Sequence, residues 1–108
     1  MVLKTQLKRK MLVKIHKLNK QSIVAICDEE LVGKIFEEGN LILDVKKSFY
    51  DGDKRSDVEI GDLMRNADQI NVVGKRSVNL ALEEELISEE DIKYVNGIPH
   101  VQMTSSPT

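Results

Sequence analysis

The sequence contains few of the residues that support specialised chemistry or membrane insertion. Among its 108 residues there is one cysteine and no tryptophan, while proline occurs twice. A single cysteine excludes an internal disulfide and fits a reducing compartment. No apolar run approaches the roughly 20 residues that a membrane-spanning helix requires. We therefore expect a cytoplasmic protein that does not enter a membrane.

The shortage of aromatic rings limits how the chain could bind nucleic acid. The four rings are those of Phe36, Phe49, Tyr50 and Tyr94, and they must also serve the hydrophobic core. Sheets that bind single-stranded RNA by stacking usually present about two or three exposed rings. We therefore expect any contact with nucleic acid to use charge and the phosphate backbone.

Negative charge is missing from the first quarter of the chain. The first acidic residue is Asp28, whereas residues 1–27 carry seven lysine or arginine side chains. Because the whole chain has a net charge of −2, the residues after Cys27 carry a net −9. Such asymmetry is typical of a chain with a polyanionic partner. The residues predicted to contact RNA phosphates are Lys8, Arg9, Lys10, Lys14, Lys20, Lys75 and Arg76.

Alternating apolar and polar residues predict a β-hairpin near the start of the chain. The strand pattern begins at Met11, and Asn19-Lys20 interrupts it before a nearly continuous apolar run from Gln21. We place Leu18 opposite Gln21, which sets the register of the two strands. The chain then divides into a basic arm at 1–10, a single α+β domain at 11–103 and a polar tail at 104–108.

Two main helices and further strands follow this hairpin. Ser56 and Glu59 form a capping-box pattern before apolar residues at helical spacing, and a second helix is predicted from about Ser77. A central strand begins at Leu41, and Asn96-Gly97 predicts a C-terminal hairpin. The fold class is therefore α+β, with a mixed or antiparallel sheet covered by the two main helices.

The segment from Gly74 to Ser77 resembles the end of a phosphate-binding loop. A glycine and two cations stand between an apolar strand and a helix start, where free backbone amides can bind an anion. The full loop needs a glycine five residues before its Gly-Lys pair, and Gln69 stands there, which argues against nucleotide hydrolysis. Two interpretations stay open. Either Gly74 makes a turn and Ser77 caps the helix, or Gly74, Lys75, Arg76 and Ser77 bind an anion or RNA phosphate.

His100 and Tyr50 are further candidates for a functional role. His100 follows Pro99, which we expect at a sheet edge or bulge because proline cannot donate a ladder hydrogen bond. It is either an exposed functional imidazole or merely exposed. Tyr50 either pins its loop to the core or contacts a ligand. Cys27 closes an apolar run, where a packed thiol is expected, and no zinc-ligand spacing is present, so we predict no metal, cofactor or catalytic residue.

Five ordered patches carry a family resemblance. They read AICDEELVGK from Ala25, FEEG from Phe36, FYDG from Phe49, NVVGKRSV from Asn71 and GIPHVQ from Gly97. Together they resemble a small archaeal family catalogued as domain of unknown function 424, over about residues 12–102. The resemblance implies a stand-alone, single-domain cytoplasmic protein of an archaeon, with a role linked to translation or RNA by association.

We interpret the chain as a non-enzymatic, RNA-phosphate-binding or translation-associated module whose partner is RNA or a ribonucleoprotein. The basic hairpin and the helix start at Gly74 would make the contacts. One alternative is a subunit that docks protein partners through its basic and acidic ends. Another is a small-molecule enzyme built on an anion site at Gly74–Ser77 with His100, which requires a pocket where these regions converge.

Overall fold

The computed structural model describes residues 10–104, which form a six-stranded mixed sheet, a separate two-stranded sheet and three helices. The strands are β1 (Met11–Leu18), β2 (Gln21–Asp28), β3 (Ile35–Glu38), β4 (Leu41–Asp44), β5 (Asp53–Lys54), β6 (Gln69–Val73), β7 (Lys93–Val95) and β8 (Ile98–Thr104). The helices are α1 (Lys47–Tyr50), α2 (Asp57–Arg65) and α3 (Lys75–Glu83). The predicted α+β class is confirmed. Of the predicted arm at 1–10 the structure describes only Lys10, and of the predicted tail at 104–108 only Thr104, which belongs to β8. The rest of both segments lies outside the described residues.

The six strands lie in the order β5-β1-β2-β6-β8-β7, and β3 pairs only with β4. Short 3₁₀ turns follow β2 and precede β7. Within residues 10–104, no helix is long and apolar enough to cross a membrane.

The N-terminal hairpin has the predicted register. Leu18 lies opposite Gln21, and Leu12 lies opposite Cys27. The two turn residues both have positive φ, 52° at Asn19 and 69° at Lys20. This is the backbone of a type I′ turn, whose twist matches that of the strands it joins.

A parallel pairing between β2 and β6 makes the sheet mixed. Cys27 lies opposite Val73, so the carboxyl ends of both strands meet at one edge of the sheet. At the other end, Asp68 ties the two strands together before β6 begins. Its carboxylate accepts a hydrogen bond from the Ser22 amide at 2.7 Å, and its own amide donates to the Ser22 carbonyl at 3.0 Å.

The two faces of the sheet bury two separate cores. The first core lies under α2 and α3, and the second lies on the opposite face under β3, β4 and α1. The first core is formed by Met11, Val13, Val24, Ile26, Ile60, Met64, Ile70, Val72, Val78, Leu80, Ala81, Ile87 and Val101. The second core is formed by Cys27, Val45 and Val73, with Leu31, Val32, Phe36, Leu43, Tyr50 and Ile98 packed against them.

Two helix predictions had different outcomes. The capping box at the start of α2 is present, because the Ser56 hydroxyl accepts from the Glu59 amide and the Glu59 carboxylate accepts from the Ser56 amide. Helix α3, by contrast, begins at Lys75, so Ser77 lies inside it rather than capping it. Of the two interpretations of this segment, the one in which Gly74 makes a turn and Ser77 caps the helix is therefore wrong about Ser77.

The C-terminal hairpin forms as predicted, but Pro99 does not lie at the sheet edge. Strand β8 is flanked by β6 and β7, and β7 is the edge strand. Tyr94 lies opposite Pro99, one position from the pair that closes the turn, so the Pro99 backbone points toward β6. The last β6 pair is Val73 with His100, so no ladder bond from Pro99 is needed there. Its carbonyl accepts from the Gly74 amide at 2.9 Å.

Replacing Ser56 by alanine should lower the free energy of unfolding by about 1 kcal/mol, because the substitution leaves a helix-terminal amide without its acceptor. Urea unfolding followed by circular dichroism measures the change. Ser56→Asn is the matched control, because asparagine caps about as well as serine and should retain most of the stability. Equal losses in both variants would contradict a capping role.

Candidate nucleic-acid interface

The start of α3 is held by a carboxylate that the chain itself provides. Asp28 ends β2 beside Gly74, and the residue is buried, with a relative exposure of 3%. One carboxylate oxygen accepts from the Ser77 amide at 2.9 Å and from the Ser77 hydroxyl at 2.7 Å. The other accepts from the Arg76 amide at 3.1 Å. These donors and the helix dipole favour a negative group at this position.

Gly74 is required by this arrangement for two reasons. Its φ of +107° is a conformation that residues with a side chain rarely adopt. A Cβ at position 74 would also lie 2.8 Å from the Cβ of Asp28 and closer still to its carboxyl carbon. The glycine therefore lets the aspartate side chain pass directly over the helix start.

The anion predicted at Gly74, Lys75, Arg76 and Ser77 has an internal counterpart. The Arg76 and Ser77 amides and the Ser77 hydroxyl donate to Asp28 rather than to the solvent side. An external phosphate would have to displace a buried carboxylate from these donors. Asp28 is therefore the anionic group that accepts hydrogen bonds from this helix start in the structure, and binding of an external phosphate there stays a prediction.

The two cations of this segment differ in their surroundings. The Arg76 guanidinium lies 3.6 Å from the Asp28 carboxylate and 3.3 Å from that of Glu30, so its charge is balanced within the chain. Lys75 is exposed and forms no ion pair with any residue from 10 to 104. Of the pair, Lys75 therefore presents the less balanced positive charge.

Lys14 and His16 bind α1 to the first hairpin. The Lys14 ammonium donates to the Ser48 carbonyl at 2.8 Å, and the His16 Nε2 lies 2.9 Å from the Phe49 carbonyl. The His16 ring also stacks on Phe49, with 4.4 Å between the ring centroids. These contacts explain how a four-residue helix is held against the sheet, and they occupy the ammonium of a residue predicted to contact RNA.

The remaining cations of the first hairpin are exposed. Lys10 precedes β1, and Lys17 and Lys20 lie at the turn between β1 and β2, which we call the hairpin tip (residues 17–20). None of these three lysines forms an ion pair with another part of the described chain. Lys8 and Arg9, also predicted to contact RNA, lie outside the described residues.

Tyr50 is packed in the second core beside Cys27. Burial, together with the nearby Cys27, raises the pKa of the Tyr50 phenol to about 12. Burial likewise raises the pKa of the Cys27 thiol to about 12, and the carboxylates of Asp28 and Glu30 contribute to this shift. The Phe49 ring contacts Tyr50 edge-on at 5.0 Å. Of the two roles considered for Tyr50, these contacts support anchoring of the loop.

His100 is half-buried on β8, not exposed on an edge strand. Its Nδ1 is buried and has no hydrogen-bond partner among residues 10–104. Burial lowers the pKa of the imidazole, and the positive charge of Lys93 acts in the same direction, while the Ile98 backbone opposes the shift. The imidazole therefore favours its neutral form more than a free histidine does.

A cavity of about 270 Å³ lies between α2 and the ends of β6 and β8, lined by Met64, Ile70, Leu86 and Met103 among others. It is at the opposite end of β6 from Gly74, so it does not join the start of α3 to His100. Among the described residues, no group of three or more His, Cys, Asp or Glu side chains is arranged to hold a metal ion.

Sequence reasoning missed the role of Asp28, and it did not group three exposed lysines that the fold brings together. The role of Asp28 follows from its position at the end of one buried strand, β2, next to the glycine that follows another, β6. The sequence alone does not reveal that these two strands pair in parallel. Lys46 and Lys47 are exposed at the start of α1, beside Lys34, whose carbonyl accepts from the Val45 amide at 2.9 Å. Only the pairing of distant backbone segments brings these lysines together.

The fold and its buried helix-start aspartate define a small α+β protein with a mixed sheet. The model of the family described as "Protein of unknown function (DUF424)" matches residues 16–105, so the chain belongs to this family. A crystal structure of an uncharacterised conserved protein from the archaeon Methanopyrus kandleri has a similar fold, with a TM-score of 0.74 and 24% identity. The similarity covers 92% of this chain and 96% of that one. A comparison with curated proteins found no match.

Gly74→Ala should lower the free energy of unfolding by about 3 kcal/mol, from backbone strain and from the overlap with Asp28. Gly39→Ala is the matched control. Gly39 also has positive φ, at +60°, but a Cβ there would meet nothing within 4 Å. We expect the control to cost about 1 kcal/mol. Similar losses for the two variants in urea unfolding would argue against the contact with Asp28.

Cys27 should resist alkylation in the folded protein, because its thiol is buried and remains protonated at ordinary pH. Treatment with iodoacetamide at about pH 8, followed by mass spectrometry, should show modification only after denaturant is added. Rapid modification of the native protein would mean that this end of β2 opens to solvent.

Proposed function

We propose that the protein is a non-enzymatic module that binds RNA through phosphate groups contacted by its first hairpin. The observation that carries the proposal is the set of exposed lysines Lys10, Lys17 and Lys20. All three lie within residues 1–27, which contain no acidic side chain, and none of them forms an ion pair with another residue from 10 to 104. Unbalanced cations of this kind release counterions from a polyanion when they bind it.

The distribution of aromatic rings supports contact with phosphates rather than with bases. Phe36 and Tyr50 pack in the second core, and Phe49 stacks on His16. Tyr94 is exposed, but it belongs to the edge strand β7, which is separated from β1 by β2, β6 and β8. The first hairpin therefore has no exposed ring on which a base could stack.

We extend the proposal to ribonucleoproteins, including those of translation, because they display phosphates in the same chemical form. Of the residues predicted to contact RNA, Lys10, Lys20 and Lys75 are exposed and therefore best placed to contact phosphates. We add Lys17, which was not among the predicted contacts but is also exposed. Lys14 and Arg76 hold other parts of the chain, so we expect them to act mainly through the fold.

Replacing Lys17 and Lys20 together by alanine should weaken RNA binding and flatten its dependence on salt. Removing one lysine that neutralises a phosphate of a duplex reduces the slope of log K against log salt concentration by about 0.9, so the double variant should lose about 1.8. Fluorescence anisotropy with a labelled RNA duplex across a salt series measures this slope.

The matched control is the double variant Lys46→Ala, Lys47→Ala. It removes the same number of exposed positive charges from the start of α1. We expect its salt slope to stay close to that of the unaltered protein. Equal changes in both double variants would point to net charge alone, and the absence of RNA binding at low salt would refute the proposal.

A further inference from the structure

The hairpin formed by β3 and β4 exposes an apolar surface. Ile35 lies opposite Asp44 and Glu37 lies opposite Ile42, so these four side chains share its outer side. Ile35 and Ile42 are among the most exposed large apolar residues described, with Ile42 at 66%. The inner side packs against the second core through Phe36 and Leu43.

The charges on this outer side indicate what could cover it. Glu37 and Asp44 are exposed, and neither forms an ion pair within residues 10–104. Two isoleucines that alternate with two carboxylates suit a partner surface that combines an apolar residue with positive charge.

The hairpin tip of this same chain has that composition. Leu18 is 60% exposed, and Lys17 and Lys20 flank it without ion pairs to described residues. The apolar side chain and the two ammonium groups complement the isoleucines and carboxylates of the β3–β4 outer side.

The two surfaces cannot meet within one molecule. The hairpin tip lies at the end of β2 that starts at Gln21, whereas β3 and β4 cover the end that contains Cys27. Six residues of a strand span about 20 Å. A rigid, paired strand keeps the surfaces apart by that distance, so a second copy of the chain must supply one of them.

We propose that the protein associates head-to-tail, with the hairpin tip of one copy docked on the β3–β4 outer side of the next. The contact is heterologous, because each copy contributes a different surface. It goes beyond RNA binding but uses two of the same lysines, Lys17 and Lys20, so RNA and a second copy would compete for the hairpin tip. The association is measured without RNA, so its failure leaves the proposed function standing. Because charge complementarity contributes, association should weaken as salt is raised.

Sedimentation velocity over a wide range of concentration at low salt tests the association. The unaltered protein should form species larger than one chain. Ile42→Asn and Leu18→Asn should each weaken association by about tenfold or more, because each removes an apolar contact from the interface. Val58→Asn is the matched control, because Val58 is 75% exposed on α2, away from both surfaces.

Mixing the two variants distinguishes a head-to-tail contact from a symmetric one. Ile42→Asn keeps an intact hairpin tip, and Leu18→Asn keeps an intact β3–β4 outer side. The mixture should therefore form a one-to-one complex with twice the mass of the chain and nothing larger. A monomeric unaltered protein would overturn the proposal, as would association unaffected by either variant or a mixture that stays monomeric. Thermal unfolding of each variant verifies that these exposed substitutions leave the fold intact.

Discussion

The arrangement of the chain depends on the hydrogen bonds that the Asp28 carboxylate accepts from the start of α3. This carboxylate joins the end of β2 to the start of α3 across 49 positions of sequence, through donors that are themselves buried or half-buried. Asp68 has a similar role at the other end of the same strand pair, where it binds Ser22. The parallel pairing of β2 and β6 is thus closed at both ends by an aspartate, in the middle of an otherwise antiparallel sheet.

This constraint separates the cations that build the fold from those that face outward. Arg76 balances the charges of Asp28 and Glu30, and the Lys14 ammonium donates to the Ser48 carbonyl in α1. The number of cationic residues in the sequence is therefore larger than the number of positive charges that a partner can contact. The exposed lysines of residues 10–104 include those of the hairpin tip, Lys10 and Lys75, and the group formed by Lys34, Lys46 and Lys47. The structure therefore gives each cation a position, which a count of residues does not provide.

Local rules predicted the parts of the fold that depend on neighbouring residues. The β1–β2 register, the capping box at Ser56 and the turn at Asn96-Gly97 each follow from a few adjacent side chains. The pairing of β2 with β6 joins segments more than 40 residues apart, and no local pattern encodes it. For that reason sequence reasoning considered a helix cap or an external anion at Gly74–Ser77, and it did not anticipate that the Asp28 carboxylate at the end of β2 accepts from the Arg76 and Ser77 amides. Strand β3 was missed because its pairing with β4 leaves much of it exposed, which weakens the apolar signal.

The parallel pairing also has a consequence for the newly synthesised chain. Ser22 and its partner Asp68 are 46 positions apart, so at about 5–20 residues per second a ribosome needs about two to nine seconds to supply β6 after β2. During that interval one edge of an apolar strand has no partner, a state that favours pairing between nascent chains. The segment around that strand contains lysines but no acidic side chains before Asp28, so neighbouring nascent chains repel one another through their positive charge. The same charges thus protect the hairpin while the strand that completes its sheet is still being made.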